Sequence, residues 1–329
     1  MSNIVSSLRK SNQSSSSVRK APAIAVLAAV GCLAACAIDS GDYSPGEDPG
    51  IDVTLVPVSA IGGAGAASLG SNGAMQQLGF AAAVAARAGR VYVVDSMAGG
   101  LVQTDVFGSE IRLIRELRDG NTAGLYVTSD LIIFVVDRQS RVVLEISDTG
   151  WERRRYADSR LIPVPVDVTQ INWGSTIVIA DELSKRLVLF DNLSNPTGMM
   201  NSTLSPVMSV ASIGAVAANN GSVFVLDRDS REATQLDLQG RPIATYGEDA
   251  LLVPVAIAAD ACGRVFIADG HSDGLFVSSY EYQGTNSRAA LPVGIAEAVT
   301  DLWIEGSELY VAAGPFGVHV FSIQPGCFA

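Results

Sequence analysis

Histidine is almost missing from this chain: His271 and His319 are the only two in 329 residues. A metal centre built on several imidazoles is thereby excluded. Lysine is scarce as well, Lys185 being the only one beyond residue 20, and 34 acids against 22 basic residues leave a formal charge of −12. A chain of that sign repels phosphate-rich surfaces, so no nucleic-acid partner is expected. Four cysteines are too few for a disulfide-built scaffold. Cys32 and Cys36 lie near the amino terminus, leaving Cys262 and Cys327 as the only thiols of the body. In an oxidising compartment those two can form a disulfide; the alternative is two separate buried thiols. Long apolar runs are missing too. The continuous stretch over residues 21–35 is about 15 residues long, where a spanning helix needs roughly 20.

That stretch follows Arg9, Lys10, Arg19 and Lys20 and closes with Leu33-Ala34-Ala35-Cys36. A basic start, a short apolar segment and small residues at its end resemble a bacterial lipoprotein signal peptide, and Leu-Ala-Ala-Cys matches that family's lipobox at all four positions. The resemblance implies that residues 1–35 are removed, that Cys36 becomes the lipidated first residue, and that its acyl chains anchor the protein at a membrane of the cell envelope. Ala37, in place of Asp, resembles the pattern directed to the outer membrane where a cell has two. Removing residues 1–35 takes away four cations and no acids and moves the formal charge to −16. Residues 36–50 then read as the lipidated cysteine and a flexible tether. Gly, Pro, Ser and four acids fill AIDSGDYSPGEDPG, whose 14 residues reach at most about 45 Å at roughly 3.3 Å each.

From residue 51 to 329 one pattern recurs. RVYVVD (90–95), LIIFVVD (131–137), TIVIAD (176–181), SVFVLD (222–227), RVFIAD (264–269) and ELYVAA (308–313) are apolar strand segments, five of them ended by an acid, spaced by 42, 44, 46, 42 and 44 residues. That spacing predicts one four-stranded blade per repeat and an all-β, six-bladed β-propeller forming one domain. Each repeat splits into an inner Ala- and Val-rich strand, a tight turn, the diagnostic second strand, a third strand and a variable outer strand. Gly89, Gly174, Gly221, Gly263 and Gly306 fall where a turn between antiparallel strands tolerates positive φ, with Asp130 in that place in the second repeat. The last repeat stops one strand short, while IDVTLVPV (51–58) is an alternating strand without a blade. We expect residues 51–58 to become the outermost strand of the sixth blade and close the ring, Pro57 being tolerable on an edge. The turns Gly221-Ser222-Val223-Phe224-Val225-Leu226-Asp227 and Gly263-Arg264-Val265-Phe266-Ile267-Ala268-Asp269 resemble the NHL-type repeat and the wider six-bladed group, over nearly all of residues 51–329. The Asn-x-Arg entry usual in that family's third strand is not matched.

Little chemistry stands out. Asp95, Asp137, Asp181, Asp227 and Asp269 fall at one place in each blade and so on one face; Asp at a strand end accepts backbone hydrogen bonds and starts the turn, which favours a structural role over a cation-collecting rim. His319 alternates with Val318 and Val320 on a strand and His271 lies in a turn, neither beside a nucleophile elbow. Six-bladed lactonase-like enzymes, which the architecture resembles, hold calcium or a similar metal with Glu, Asn and Asp along the axis. The inner strands here offer Asp167, Asn172, Asp260 and Asp301, which do not reproduce that constellation. No catalytic residue, metal ligand or cofactor is assigned. The connection over residues 59–78 is long enough to act as a lid on the acid-turn face, or to be a mobile spacer. Cys262 and Cys327 are expected on the opposite face. The leading expectation is a non-enzymatic, lipid-anchored binding or scaffold module for a protein or an envelope polymer. The alternatives are a metal-dependent lactonase- or esterase-like hydrolase and a small-ligand sensor or carrier.

Overall fold

Apolar side chains at every position of a strand need a neighbour on both faces, and the second strand of each repeat has one. In the computed structural model Val91 and Val93 pack with Tyr310, Ala312, Val318 and Val320 of the last repeat. Tyr92 and Val94 turn the other way, onto Leu125, Val127, Ile133 and Val135 of the next repeat. Sheets therefore stack face to face around a centre. The structure describes residues 53–63, 77–117, 122–171, 174–200, 212–219, 221–270, 274–279, 287–292 and 294–327, all within one unit spanning 48–329. The leader, Cys36, the tether, residues 64–76 of the connection, Asn172 and His271 lie outside the described residues.

Strand β1 (Thr54–Ile61) precedes the blades. Blade 1 is β2 (Ala81–Arg87), β3 (Arg90–Asp95), β4 (Gly100–Asp105) and β5 (Arg112–Glu116); blade 2 is β6 (Thr122–Val127), β7 (Ile133–Asp137), β8 (Val142–Ile146) and β9 (Glu152–Tyr156). Blade 3 is β10 (Pro165–Ile171), β11 (Thr176–Asp181), β12 (Arg186–Asp191) and β13 (Pro196–Met200); blade 4 is β14 (Ile213–Ala218), β15 (Ser222–Asp227), β16 (Glu232–Asp237) and β17 (Pro242–Tyr246). Blade 5 is β18 (Pro254–Ala259), β19 (Arg264–Asp269), β20 (Gly274–Ser279) and β21 (Ser287–Ala290). Blade 6 is β22 (Asp301–Glu305), β23 (Glu308–Ala312) and β24 (Val318–Gln324), and its fourth strand is β1. The inner strands meet in the cyclic order β2, β6, β10, β14, β18, β22 and back to β2, which makes a closed six-bladed propeller.

The closing strand pairs antiparallel with β24 from Thr54↔Gln324 to Ile61↔Val318, with an irregularity between Pro57 and Ser59 where proline has no donor to offer. It runs three residues further than the sequence pattern suggests, because Ile61 is fully buried against blades 1 and 6. Two other expectations need correction. The strand expected over 131–137 begins only at Ile133, since Leu131 takes a positive φ of 59° in the turn. Gly221 is not among the positive-φ glycines; the Asn219 carboxamide oxygen instead accepts the Gly221 and Ser222 N–H groups and shapes that turn.

The five strand-ending acids are buried, and each accepts from backbone N–H groups, Asp137 from Ser140 at 2.9 Å. Asp95 accepts from Gly79 (2.7 Å), Phe80 (3.1 Å), Met97 (3.0 Å) and Ala98 (3.0 Å), tying the lead-in to the inner strand to its own turn. Asp181, Asp227 and Asp269 make the same link to Val164, Ser212, and Leu252 with Val253. They face main-chain donors, which is the structural role read from the sequence.

Candidate functional site

Because the strands of each blade alternate in direction, all turns from inner to second strand lie on one face and the aspartate turns on the other. The inner strands enclose a cavity of about 750 Å³ on the axis, lined by Arg87, Tyr126, Gln170, Ala217, Ala258 and Trp303, one from each blade. Ser129, Gly174, Asn219, Ala261 and Gly306, all at inner-to-second-strand turns, also line it, so it opens on that face.

Its walls are unequal, and the repeat register explains how. Opposite Tyr92, Phe134, Val178, Phe224, Phe266 and Tyr310 on the second strands stand Ala85, Tyr126, Thr169, Ala217, Ala258 and Trp303 on the inner ones. Blades 2 and 6 thus place aromatic rings where the others carry alanine or threonine. The two rings meet edge-on across blade 1, centroids 5.3 Å apart. Trp303 Nε1 donates to the Ala86 carbonyl at 2.8 Å, fixing the indole over that small-residue strand. Beside them Arg87 pairs with Glu305 at 2.7 Å.

One level deeper, the register positions are Ala83, Ala123, Asp167, Ala215, Ala256 and Asp301. Blades 3 and 6 are three steps apart in a ring of six, so the carboxyl groups approach from opposite sides of the axis. Each is clamped in the same way. Asp167 accepts from Val168 (2.8 Å) and from Val216 on the next blade (2.7 Å); Asp301 accepts from Leu302 (2.9 Å) and from Val84 on the next blade (2.9 Å). Gly124 makes room for the first: a Cβ there would stand 2.4 Å from Asp167 Oδ1. Burial raises the affinity of Asp167 for its proton to a pKa of about 7, against the pull of its two N–H donors and the more distant Arg228. Asp301 is raised by burial first and by the Asp167 charge second. Burial also raises the Tyr126 hydroxyl. The two carboxyls therefore resist carrying two negative charges together.

The other candidates fall elsewhere. Asp260 lines the mouth, but its carboxylate is committed to the Arg264 guanidinium at 2.6 Å. His319 sits half-buried on β24 with Nε2 3.1 Å from the Phe316 carbonyl, and burial lowers its pKa. Cys262 and Cys327 are joined on the cavity-mouth face, their Cα atoms 5.8 Å apart. Among the described residues no group of three His, Cys, Asp or Glu side chains could hold a metal ion. The donor set on the axis therefore does not fit the calcium constellation of the lactonase-like group: it has two opposed aspartates, both engaged by main-chain N–H groups. Arg87, Tyr126, Trp303 and Glu305 were not anticipated. Their signal lay in aligning the inner strands, where two aromatics interrupt an Ala and Thr column.

No family model matches this chain, and no curated protein matches it in sequence. Solved structures do match in fold. A virginiamycin B lyase from Staphylococcus aureus superposes with a TM-score of 0.56 at 11% identity, covering 83% of this chain and 89% of that one. A gluconolactonase from Xanthomonas campestris gives 0.58 at 12% identity over 84% and 99%. A Bacteroides thetaiotaomicron protein of unknown function gives 0.60 at 11% over 83% and 76%. Such identities speak for the six-bladed architecture alone.

Proposed function

We propose that this protein is a lipid-anchored envelope receptor or carrier that captures a small molecule in its axial cavity. The observation that carries the reading is the cavity itself: concave, reached from one face, walled by an aromatic pair and floored by two carboxyls, the kind of place where small ligands bind. The anchor rests on the leader and Cys36, with residues 1–35 removed, residues 36–50 as tether and residues 51–329 as an NHL-like propeller body. Replacing Cys36→Ala should abolish palmitate incorporation and release the protein from the membrane fraction; continued labelling refutes the anchor. For the cavity, the test is Ala217→Phe, which places a ring in the open space on the side opposite blade 1, across which Trp303 and Tyr126 meet. Native mass spectrometry of protein recovered from its own envelope should find a small adduct on the natural chain and none on the variant. The two should melt within about 2 °C of each other, because a substitution into open space displaces no packed neighbour. An adduct retained in full by the variant refutes the cavity as its site.

Catalysis is a second reading, favoured by one observation: carboxyls with raised proton affinity facing each other in a cavity are candidates for general acid and base. Cleavage of a lactone or ester panel, lost in both Asp167→Asn and Asp301→Asn, would move the assignment there. Docking to a protein or an envelope polymer is a separate proposal for the outer surface, tested by crosslinking in the envelope and identifying what co-purifies. The cavity leads because it supplies a defined site.

A further inference from the structure

Count the charges that face the axial cavity. Arg87 is paired with Glu305 and Asp260 with Arg264, so those four cancel. Tyr126 keeps its proton, since burial raises it further above neutrality. Asp167 and Asp301 are left with main-chain N–H groups and, for Asp167, the field of Arg228 from outside the cavity; among the described residues no cation that lines the cavity is left over to balance them. Two residues further along the same strand as Asp301 stands Trp303, edge-on to Tyr126. A carboxyl pair below an aromatic wall offers charge to an ammonium group and ring faces to the carbon body that carries it.

We propose that the axial cavity selects protonated primary amines, the ammonium seated between Asp167 and Asp301 and its substituent lying against Tyr126 and Trp303. This rests on the cavity-binding reading above and names its ligand class. Binding is then coupled to proton release. Burial holds protons on the pair that solvent-exposed carboxylates would have lost; on binding the ammonium keeps its three protons, proton held by the pair leaves to solvent, and two carboxylates face one cation. Affinity for an amine accordingly rises with pH through neutrality and levels off once the pair is fully ionised.

Titration calorimetry on the full chain, with phenethylamine, the neutral 3-phenylpropanol and phenylacetate as probes, tests this. In phosphate and in Tris, buffers of different ionisation enthalpy, phenethylamine should bind with a buffer-dependent heat that reports proton release, and it should bind tighter at pH 8 than at pH 6. Phenylacetate should not bind. Asp167→Asn and Asp301→Asn should each weaken phenethylamine by roughly thirtyfold or more. Should either variant fail to fold, the buffer comparison on the natural chain still decides. If 3-phenylpropanol binds as well as phenethylamine, or the heat is independent of buffer, the amine assignment is wrong while the cavity reading stands. If none of the three probes binds at millimolar concentration, the amine assignment fails, and the cavity reading stands or falls on whether an adduct found on the natural chain is lost in Ala217→Phe.

Discussion

A chain that begins at residue 62 is expected not to form a stable monomer, although all six inner strands and 23 of the 24 described strands remain. Without β1 the edge of β24 exposes its unpaired N–H and C=O groups along the run from Gln324 to Val318. Val318, Val320, Phe321 and Ile323, all at or below 2% exposure, lose cover on that side, and Ile61 and Val53 leave the core. At about 1.5–3 kcal/mol for each large side chain, the loss reaches roughly 8 kcal/mol, comparable to the whole stability of an ordinary domain. Blade 6 is also the one that blade 1 packs against, so the damage opens the ring rather than fraying an end. Near-ultraviolet circular dichroism and size-exclusion chromatography should report loss of fixed packing and association through the open edge. Adding a synthetic peptide of residues 53–62 should restore a monomer with cooperative melting. A truncated chain that melts as a monomer at the natural temperature would show that the latch contributes little.

How this fold can be read from sequence follows from which features are local. The second strands announce themselves because burial on both faces demands unbroken apolar residues, and the terminal aspartate because its carboxylate caps a turn within a few residues. Closure was legible as two deficits of opposite sign, a blade missing one strand and a strand missing a blade. The boundaries that slipped are the ones set by partners far away. Ile61 belongs to β1 because of Tyr310 and Val318, and Leu131 leaves β7 because its backbone turns there with positive φ. Asp167 and Asp301 were visible as polar residues among Ala and Val, yet their opposition is a property of the ring, obtained only by counting three blades between them. The aromatic wall escaped a search for reactive groups, since tryptophan and tyrosine in an apolar strand read as core until the inner strands are laid side by side.

Removing the bridge between Cys262 and Cys327 is expected to have the next largest effect, and the place of the bridge says why. With β1 occupying the outer position of blade 6, the chain after β24 has no strand left to form. It turns inward to the cavity mouth, which Cys327 helps to line. There blade 5 holds it twice: Arg264 donates to the Pro325 carbonyl at 2.9 Å, and Cys262 takes the sulfur of Cys327. The bridge spans a sequence separation of 65 residues. By chain entropy a loop of that size contributes about 4 kcal/mol through the unfolded state. A domain this large loses roughly 2–4 °C per kcal/mol, so the Cys262→Ser, Cys327→Ser double variant should melt about 8–16 °C below the natural chain. Dithiothreitol should lower the natural chain by the same amount and leave the double variant where it is, which separates the covalent link from any packing lost with the sulfurs. Because the same tail frames the mouth, loss of the bridge should also weaken ligand retention in the cavity, unlike a destabilising change on the aspartate-turn face. Equal melting temperatures with and without reductant would mean that blade 5 and the tail are held by the Arg264 contact and packing alone.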